Sequence, residues 1–251
     1  AMSAALNVER HQPVLKRTDF ALFGLNRTQR PNPAVTAGNL RSIAFDIQFG
    51  EKPSAFSPER FRHISLRTEL SHPDLLQSQF DFTRTRLALA WRVNTLFERR
   101  MLPNTLDIRL TGGFTTGAPP IQRFGILDGA IGGAGQYGVF RSLRGQPYEG
   151  QHYAGLFWDH NFRTIPFEIL GIESLSRRGI GLSVFGGHGR TWISKARLAS
   201  LAYVPRYQDS VHHELGVSVT GLFYLFRLDM TTRIDRPGFF INIGIGPGFM
   251  E

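Results

Sequence analysis

Apolar residues fall on every second position through about ten separate segments of this chain. A β-strand sends successive side chains to opposite faces, so each such segment has one apolar and one polar face. Met2, Ala4, Leu6 and Val8 alternate with Ser3, Ala5, Asn7 and Glu9, and Ile43, Phe45, Ile47 and Phe49 with Ala44, Asp46, Gln48 and Gly50. Ile64, Leu66 and Leu70 oppose His63, Arg67 and Glu69, while Leu87, Leu89, Trp91 and Val93 oppose Ala88, Ala90, Arg92 and Asn94. Leu106, Ile108 and Leu110 face away from Asp107, Arg109 and Thr111. Farther along, Leu215, Val217 and Val219 oppose Gly216, Ser218 and Thr220. Phe226, Leu228 and Met230 oppose Arg227, Asp229 and Thr231, and Phe239, Ile241, Ile243 and Ile245 close the series. The pattern predicts strands over 2–10, 39–50, 60–71, 80–96, 104–116, 151–163, 179–192, 212–221, 224–234 and 238–250. A helix is expected only within 164–176, where Pro166 sits at the possible start.

The connections sort by length. If the strands run up and down, one end collects 11–38, 72–79, 117–150, 193–211 and 235–237, which include the longest loops, and the other end is mostly turns. Long loops at one end and turns at the other are the arrangement of an outer-membrane β-barrel. Alternation by itself also fits a soluble sandwich or a lipocalin-like barrel with its apolar face inward. Charged residues near strand centres, among them Asp46, Glu69, Arg92, Asp107, Arg109, Arg227, Asp229 and Arg233, would then be the wet exterior. In the membrane reading they line the lumen, and Ile43, Phe45, Ile47, Leu215, Val217, Val219, Ile241 and Ile243 face lipid.

Composition narrows the function classes. The chain has no cysteine, which excludes disulfides and Cys-based metal centres. No run of 18 apolar residues occurs, so a transmembrane helix is not expected, whereas membrane strands need only about 9–11 half-polar residues. The net charge of +9 fits nucleic acid, acidic lipid headgroups or an arginine-lined pore. A strand pattern begins at once at Ala1 with no leader, so a mature chain or a fragment is expected.

Few motifs suggest chemistry. Asp128 to Gly138 (DGAIGGAGQYG) lacks the Lys-Ser/Thr and the strand-to-helix setting of a phosphate loop and reads as a flexible loop. His212 and His213 are adjacent in a strand and so point to opposite faces; His188, among glycines, is expected to line the lumen. No Gly-x-Ser-x-Gly elbow and no acid–base carboxylate pair is identifiable. No enzyme, cofactor or metal site is expected. Trp91, Trp158, Trp192, Phe239 and Phe249 suit interfacial girdles, and core packing explains them equally well.

At Leu143-Arg144-Gly145-Gln146 the sequence resembles the barrel of the bacterial surface antigen superfamily, which includes the outer-membrane protein assembly factor and two-partner-secretion translocases. There a long loop folds into the lumen and carries Val-Arg-Gly-Phe/Tyr; this chain matches the Arg and Gly and departs at the flanks. Gly179 to Trp192 (GIGLSVFGGHGRTW) is similar to the strand reading Phe-x-Asp-x-Gly: Phe185 and Gly189 match, and Gly187 replaces the acid. The two strands through Arg227 and Asp229 follow in the family's order, and FFINIGIGPGF resembles the closing strand, with Phe249 near its end. The likeness is clearest over 138–250. The segment HYAGLFWDHNFRTIPFEILGI also resembles barrels fused to carboxypeptidase-like regulatory domains.

The resemblance implies a sixteen-stranded barrel of which residues 1–251 are the C-terminal part, a single β-barrel domain without its N-terminal strands and periplasmic domains. It places the protein in the bacterial outer membrane, among lipids, with a polypeptide client and periplasmic partner domains and no nucleic acid. Arg144 and Gly145 become the lumen-loop motif, with Asp159 or Asp229 as the carboxylate that holds Arg144 and with Arg141 of little consequence. The expected function is insertion or translocation of polypeptides. The alternatives are a passive pore or a membrane anchor for a missing domain, and a soluble basic β-protein that binds nucleic acid.

Overall fold

The computed structural model describes residues 1–14, 34–51, 62–97, 103–130, 138–144, 147–224 and 226–245. The first five strands are β1 (Met2–His11), β2 (Gly38–Gly50), β3 (Arg62–Ser71), β4 (Phe82–Asn94) and β5 (Thr105–Gly117). Four short strands follow, β6 (Gly125–Leu127), β7 (Gly129–Ala130), β8 (Phe140–Arg144) and β9 (Tyr148–Gly150). The long strands resume with β10 (His152–Arg163), β11 (Gly181–Trp192), β12 (His212–Leu222), β13 (Phe226–Arg233) and β14 (Phe239–Ile245). The long strands form one 10-stranded antiparallel sheet in the order β1-β2-β3-β4-β5-β10-β11-β12-β13-β14. Each neighbours the next in sequence, apart from the excursion between β5 and β10. Among the described residues β1 pairs only with β2 and β14 only with β13.

Helices are short: α1 (Pro73–Leu76), α2 (Ile165–Ile169), α3 (Glu173–Arg177) and α4 (Lys195–Ala199). The helical candidate at 164–176 is thus two single turns, broken at Gly171, which has φ +69°. Among the described residues no helix is long and apolar enough to cross a membrane.

Burial across the sheet is inverted relative to a water-soluble protein. On the polar face Ser42, Glu69, Arg84, Asp159, Glu214, Ser218, Arg227, Asp229, Thr231 and Arg233 are all buried. On the apolar face Phe45 is 54% exposed, Ile241 52% and Ile243 60%. Leu66, Leu87, Leu110, Leu156, Leu215 and Val217 are exposed there too, and Ile43, Ile47 and Val219 are half-buried. Exposed apolar patches beyond a few hundred Å² are unusual on soluble monomers, and exposed apolar side chains stand here on every long strand except β11, where Leu182 and Val184 are half-buried. The isoleucines are not packed between two sheets. What the sheet covers instead, with its polar face, is the segment between β5 and β10.

Candidate functional site

The described residues of 118–151 (118–130, 138–144 and 147–151) leave the long-loop end of β5, lie against the polar face of the sheet and lead back into β10. A 3-10 turn at Ile121–Arg123 leads into β6, which pairs with β9, and β7 pairs in parallel with β8. Their apolar side chains, Leu127, Phe140, Leu143 and Tyr148, meet Phe157 of β10 in a small core. The inner face can bury such groups here because the strands beneath carry glycine at inward positions; a second buried apolar cluster, Leu40, Phe80 and Phe82, lies by β2 and β4. A Cβ at Gly155 would stand 2.9 Å from Leu127, and one at Gly189 would stand 2.8 Å from Phe140. The glycines form the floor on which the segment lies.

Next to that core is a charged one. Arg141 of β8 places Nη2 2.8 Å from Asp159 Oδ2 on β10, and its guanidinium carbon 3.5 Å from the Phe185 ring centroid on β11. Its Nε lies 3.6 Å from Asp229 Oδ2 on β13, near enough for an ion pair but beyond hydrogen-bond reach, so that oxygen accepts no hydrogen bond. Arg227 donates from Nε to Asp229 Oδ1 at 2.8 Å and from Nη2 to Asp159 Oδ2 at 3.3 Å. Ser218 on β12 donates to Asp229 Oδ1 at 2.6 Å and accepts from both arginines. The cluster holds two cations and two anions, so each buried charge has a counter-charge, the condition under which burial is tolerable.

The backbone of β8 is held as firmly. Glu214 Oε1 accepts from Arg141 N at 2.8 Å, and Oε2 accepts from Ser142 N at 2.9 Å and Ser142 Oγ at 2.6 Å. Asn242 of β14 donates Nδ2 to the Arg141 carbonyl at 2.7 Å. Ser142 Oγ is 3.0 Å from His212 Nε2, and His212 Nδ1 is 3.1 Å from the Tyr148 hydroxyl. Serine, histidine and glutamate together suggest a hydrolase triad, but such a triad puts the acid behind the imidazole, at the other nitrogen. Here Glu214 and Ser142 both sit at Nε2, Tyr148 occupies Nδ1, and Ser142, His212 and Glu214 are all buried. The arrangement can hold a strand in place; it is not ordered to activate a nucleophile.

A second anchor fixes the start of the segment. Arg123 donates to Glu9 Oε1 at 2.5 Å and to Glu69 Oε1 at 3.1 Å; Arg84 donates to Glu69 Oε2 at 3.0 Å and to the Arg123 carbonyl at 2.7 Å. Burial works against the Arg123 charge, yet the hydrogen bonds and charges of Glu9 and Glu69 outweigh it and raise its pKa. Residues 193–211 close over the segment from the long-loop end. Tyr203 donates to Glu149 Oε2 at 2.7 Å, Glu149 N donates to the Arg206 carbonyl, and Arg197 donates to the Pro119 carbonyl at 2.5 Å. Burial and the hydrogen bond to Glu149 push the Tyr203 phenol well above its ordinary pKa.

Asp159 and Asp229, the carboxylates expected to hold Arg144, are occupied by Arg141 and Arg227. The Arg144 side chain, Gly145 and Phe249 lie outside the described residues. The expectation that Arg141 matters little is corrected: it is the arginine at the centre of the cluster. Phe185 is its stacking partner, and Gly189 is part of the glycine floor. The departure at Gly187 has a physical reason. Gly187 pairs directly with Glu214 across β11 and β12, and its Cβ would come 3.2 Å from Glu214 Oε1 and 3.1 Å from Phe140. The neighbouring strand already supplies a carboxylate there. Glu214 was missed, although its inward position opposite Gly187 was readable from the alternation of 212–221. His188 is corrected as well: it is on the outer face, opposite His213. Of the DGAIGGAGQYG stretch, Gly129 and Ala130 form β7, and 131–137 lie outside the described residues. Among the described residues no group of three or more His, Asp or Glu is placed to hold a metal ion.

No protein-family model and no curated protein matches the chain.

Proposed function

We propose that this chain is a membrane-spanning sheet of an outer-membrane β-barrel, with its apolar face toward lipid and its polar face toward a lumen that the segment 118–151 partly fills. The observation that carries this reading is the inverted burial: apolar side chains exposed along nine of the ten long strands and half-buried on β11, ionic ones enclosed. Barrels of this kind alternate apolar-out and polar-in, and many are plugged by their own loops. Within that class we propose a member of the surface antigen superfamily that inserts or translocates polypeptides. A lumen segment carrying a buried arginine beside the Phe185 strand supports it.

An ion-paired segment that fills part of the polar face counts against a passive pore. Four arginines count against the nucleic-acid alternative: Arg84, Arg141, Arg227 and Arg233 are buried and paired with carboxylates, so they present no phosphate-binding surface. Folding the full chain into lipid vesicles and, separately, into buffer tests the membrane assignment. A protease-resistant β-sheet that forms in vesicles and fails to form in buffer is expected; a monodisperse folded protein without detergent or lipid would overturn it. Insertion activity is then read as acceleration of the folding of a second, unfolded barrel protein into vesicles holding this chain. No acceleration over vesicles holding an unrelated barrel would refute the polypeptide role and leave the membrane assignment standing.

A further inference from the structure

On the outer face of the sheet, His188 of β11 and His213 of β12 are directly opposite each other in the register. Their Nδ1 atoms are 2.8 Å apart and their ring centroids 5.1 Å apart, and both side chains are half-buried. The surroundings leave the rings little else to bind. Leu156 is opposite His188 on β10, and Ile234 is beside His213, donating its backbone N–H to the His213 carbonyl. The apolar face nevertheless ends in charge at this level. The next outward side chain of β11, Arg190, is 48% exposed and faces Asp209, 67% exposed, at 3.8 Å. The nearest carboxylate to His213 on the β13 side is Asp235, which accepts its backbone N–H at 3.3 Å and is held by Arg233. The pair is therefore at the loop end of the apolar face, where an ion in water can approach it.

Two neutral imidazoles at this separation share one proton, one ring donating and the other accepting. If the donor ring moves its proton from Nδ1 to Nε2, both Nδ1 lone pairs become available to a metal ion with no net proton change. The spacing selects among ions. Two nitrogens each about 2.0 Å from one ion and at a right angle stand about 2.8 Å apart, whereas a tetrahedral pair stands about 3.3 Å apart. Right-angle coordination belongs to square-planar and octahedral ions. We propose that His188 and His213 form a cross-strand, two-imidazole site for Cu2+ or Ni2+, with water completing the coordination, that pins β11 to β12 at the membrane surface.

The test is a titration of the full chain, folded in detergent, with Cu2+ and separately with Ni2+, beside H188Q, H213Q and the exposed-histidine control H72Q. Losing even an outer-shell partner costs about 10–100-fold in metal affinity, so losing one of two ligands is expected to cost at least about tenfold. H72Q should bind as the unmodified chain does. Because a variant may misfold, the unmodified chain is also loaded with one equivalent of Cu2+ and its electron paramagnetic resonance spectrum recorded. Superhyperfine splitting from two imidazole nitrogens is expected. The proposal is overturned if that splitting reports fewer than two such nitrogens, if H188Q and H213Q bind as tightly as the unmodified chain, or if H72Q weakens binding as much as they do.

Discussion

A guanidinium taken out of water destabilises a fold unless its charge and its N–H groups are met, and Arg141 shows how this chain meets them. Asp159, Asp229 and Ser218 supply charge and acceptors, and Phe185 covers the guanidinium face. Breaking a buried ion pair by removing one partner costs about 3–5 kcal/mol. Arg141→Ala is expected to lose that much in urea unfolding and to open 118–151 to protease. Arg177→Ala, which removes an exposed pair one helical turn from Glu173, is expected to lose only about 0.3–0.5 kcal/mol. The Gly187 and Glu214 positions make a double-mutant cycle. Gly187→Asp alone should destabilise, by crowding Phe140 and setting a second carboxylate beside Glu214. In a Glu214→Ala background the penalty should shrink, with a coupling above about 0.5 kcal/mol; strict additivity would refute the view that the two positions serve one carboxylate site. Alternation put Asp159 and Asp229 on the polar face near an arginine-bearing loop, and Phe185 was named by the family resemblance alone. The resemblance chose Arg144 and dismissed Arg141, three residues away, because local sequence carries no record of how β8 lies across the five strands β10 to β14.

At the scale of elements, each strand read from alternation is present, with ends that agree within about two residues wherever they are described, the usual scatter of strand and helix limits. Strand 238–250 is described only as far as Ile245. Periodicity of two survives in the chain because the two faces of a strand in this sheet have different surroundings, one enclosing the segment after β5 and the other left open. The short strands β6 to β9 carry no such signal: they are two to five residues long and are fixed by glycine floors and buried ion pairs rather than by local pattern. The same logic separates substitutions by face. Val217→Arg on the outer face is expected to cost about 2–4 kcal/mol of folding free energy in a bilayer. Ala88→Arg, inward on β4, should cost much less in the same urea titration. The turn between β13 and β14 adds a pH dependence. Burial opposes the Asp235 charge, but its hydrogen bonds from Arg233 and the His213 N–H, and the Arg233 charge, hold its pKa below the usual carboxylate value. A depressed pKa contributes stability above the unfolded value that is lost as pH falls through the folded one. Amide exchange at 234–238 should therefore accelerate as pH is lowered through that range, beyond its intrinsic pH dependence, and Asp235→Asn should abolish the extra acceleration.

The whole molecule is a sheet turned inside out, with charge enclosed and leucine, isoleucine and phenylalanine displayed. Alternation alone does not indicate this, because a sandwich and a membrane barrel share the period and differ only in which face is wet. In the proposed setting the outer face is met by acyl chains. The edges of β1 and β14 carry backbone groups that hydrocarbon does not solvate, so in a bilayer these edges must be covered by further strands or by each other. A cross-link formed in lipid between single cysteines at Leu6 and Ile243, tried within one chain, distinguishes these outcomes. The central claim, that the apolar face meets lipid, is tested most directly on β12. The chain contains no cysteine, so single cysteines at 213–221 can each carry a nitroxide without background labelling. With the full chain in lipid vesicles, collision rates with oxygen, which concentrates in hydrocarbon, are compared with those of a water-soluble nickel chelate. The account predicts oxygen maxima at Leu215, Val217 and Val219 and low collision with both reagents at Glu214, Ser218 and Thr220. Nickel-chelate maxima at Leu215, Val217 and Val219 would contradict it.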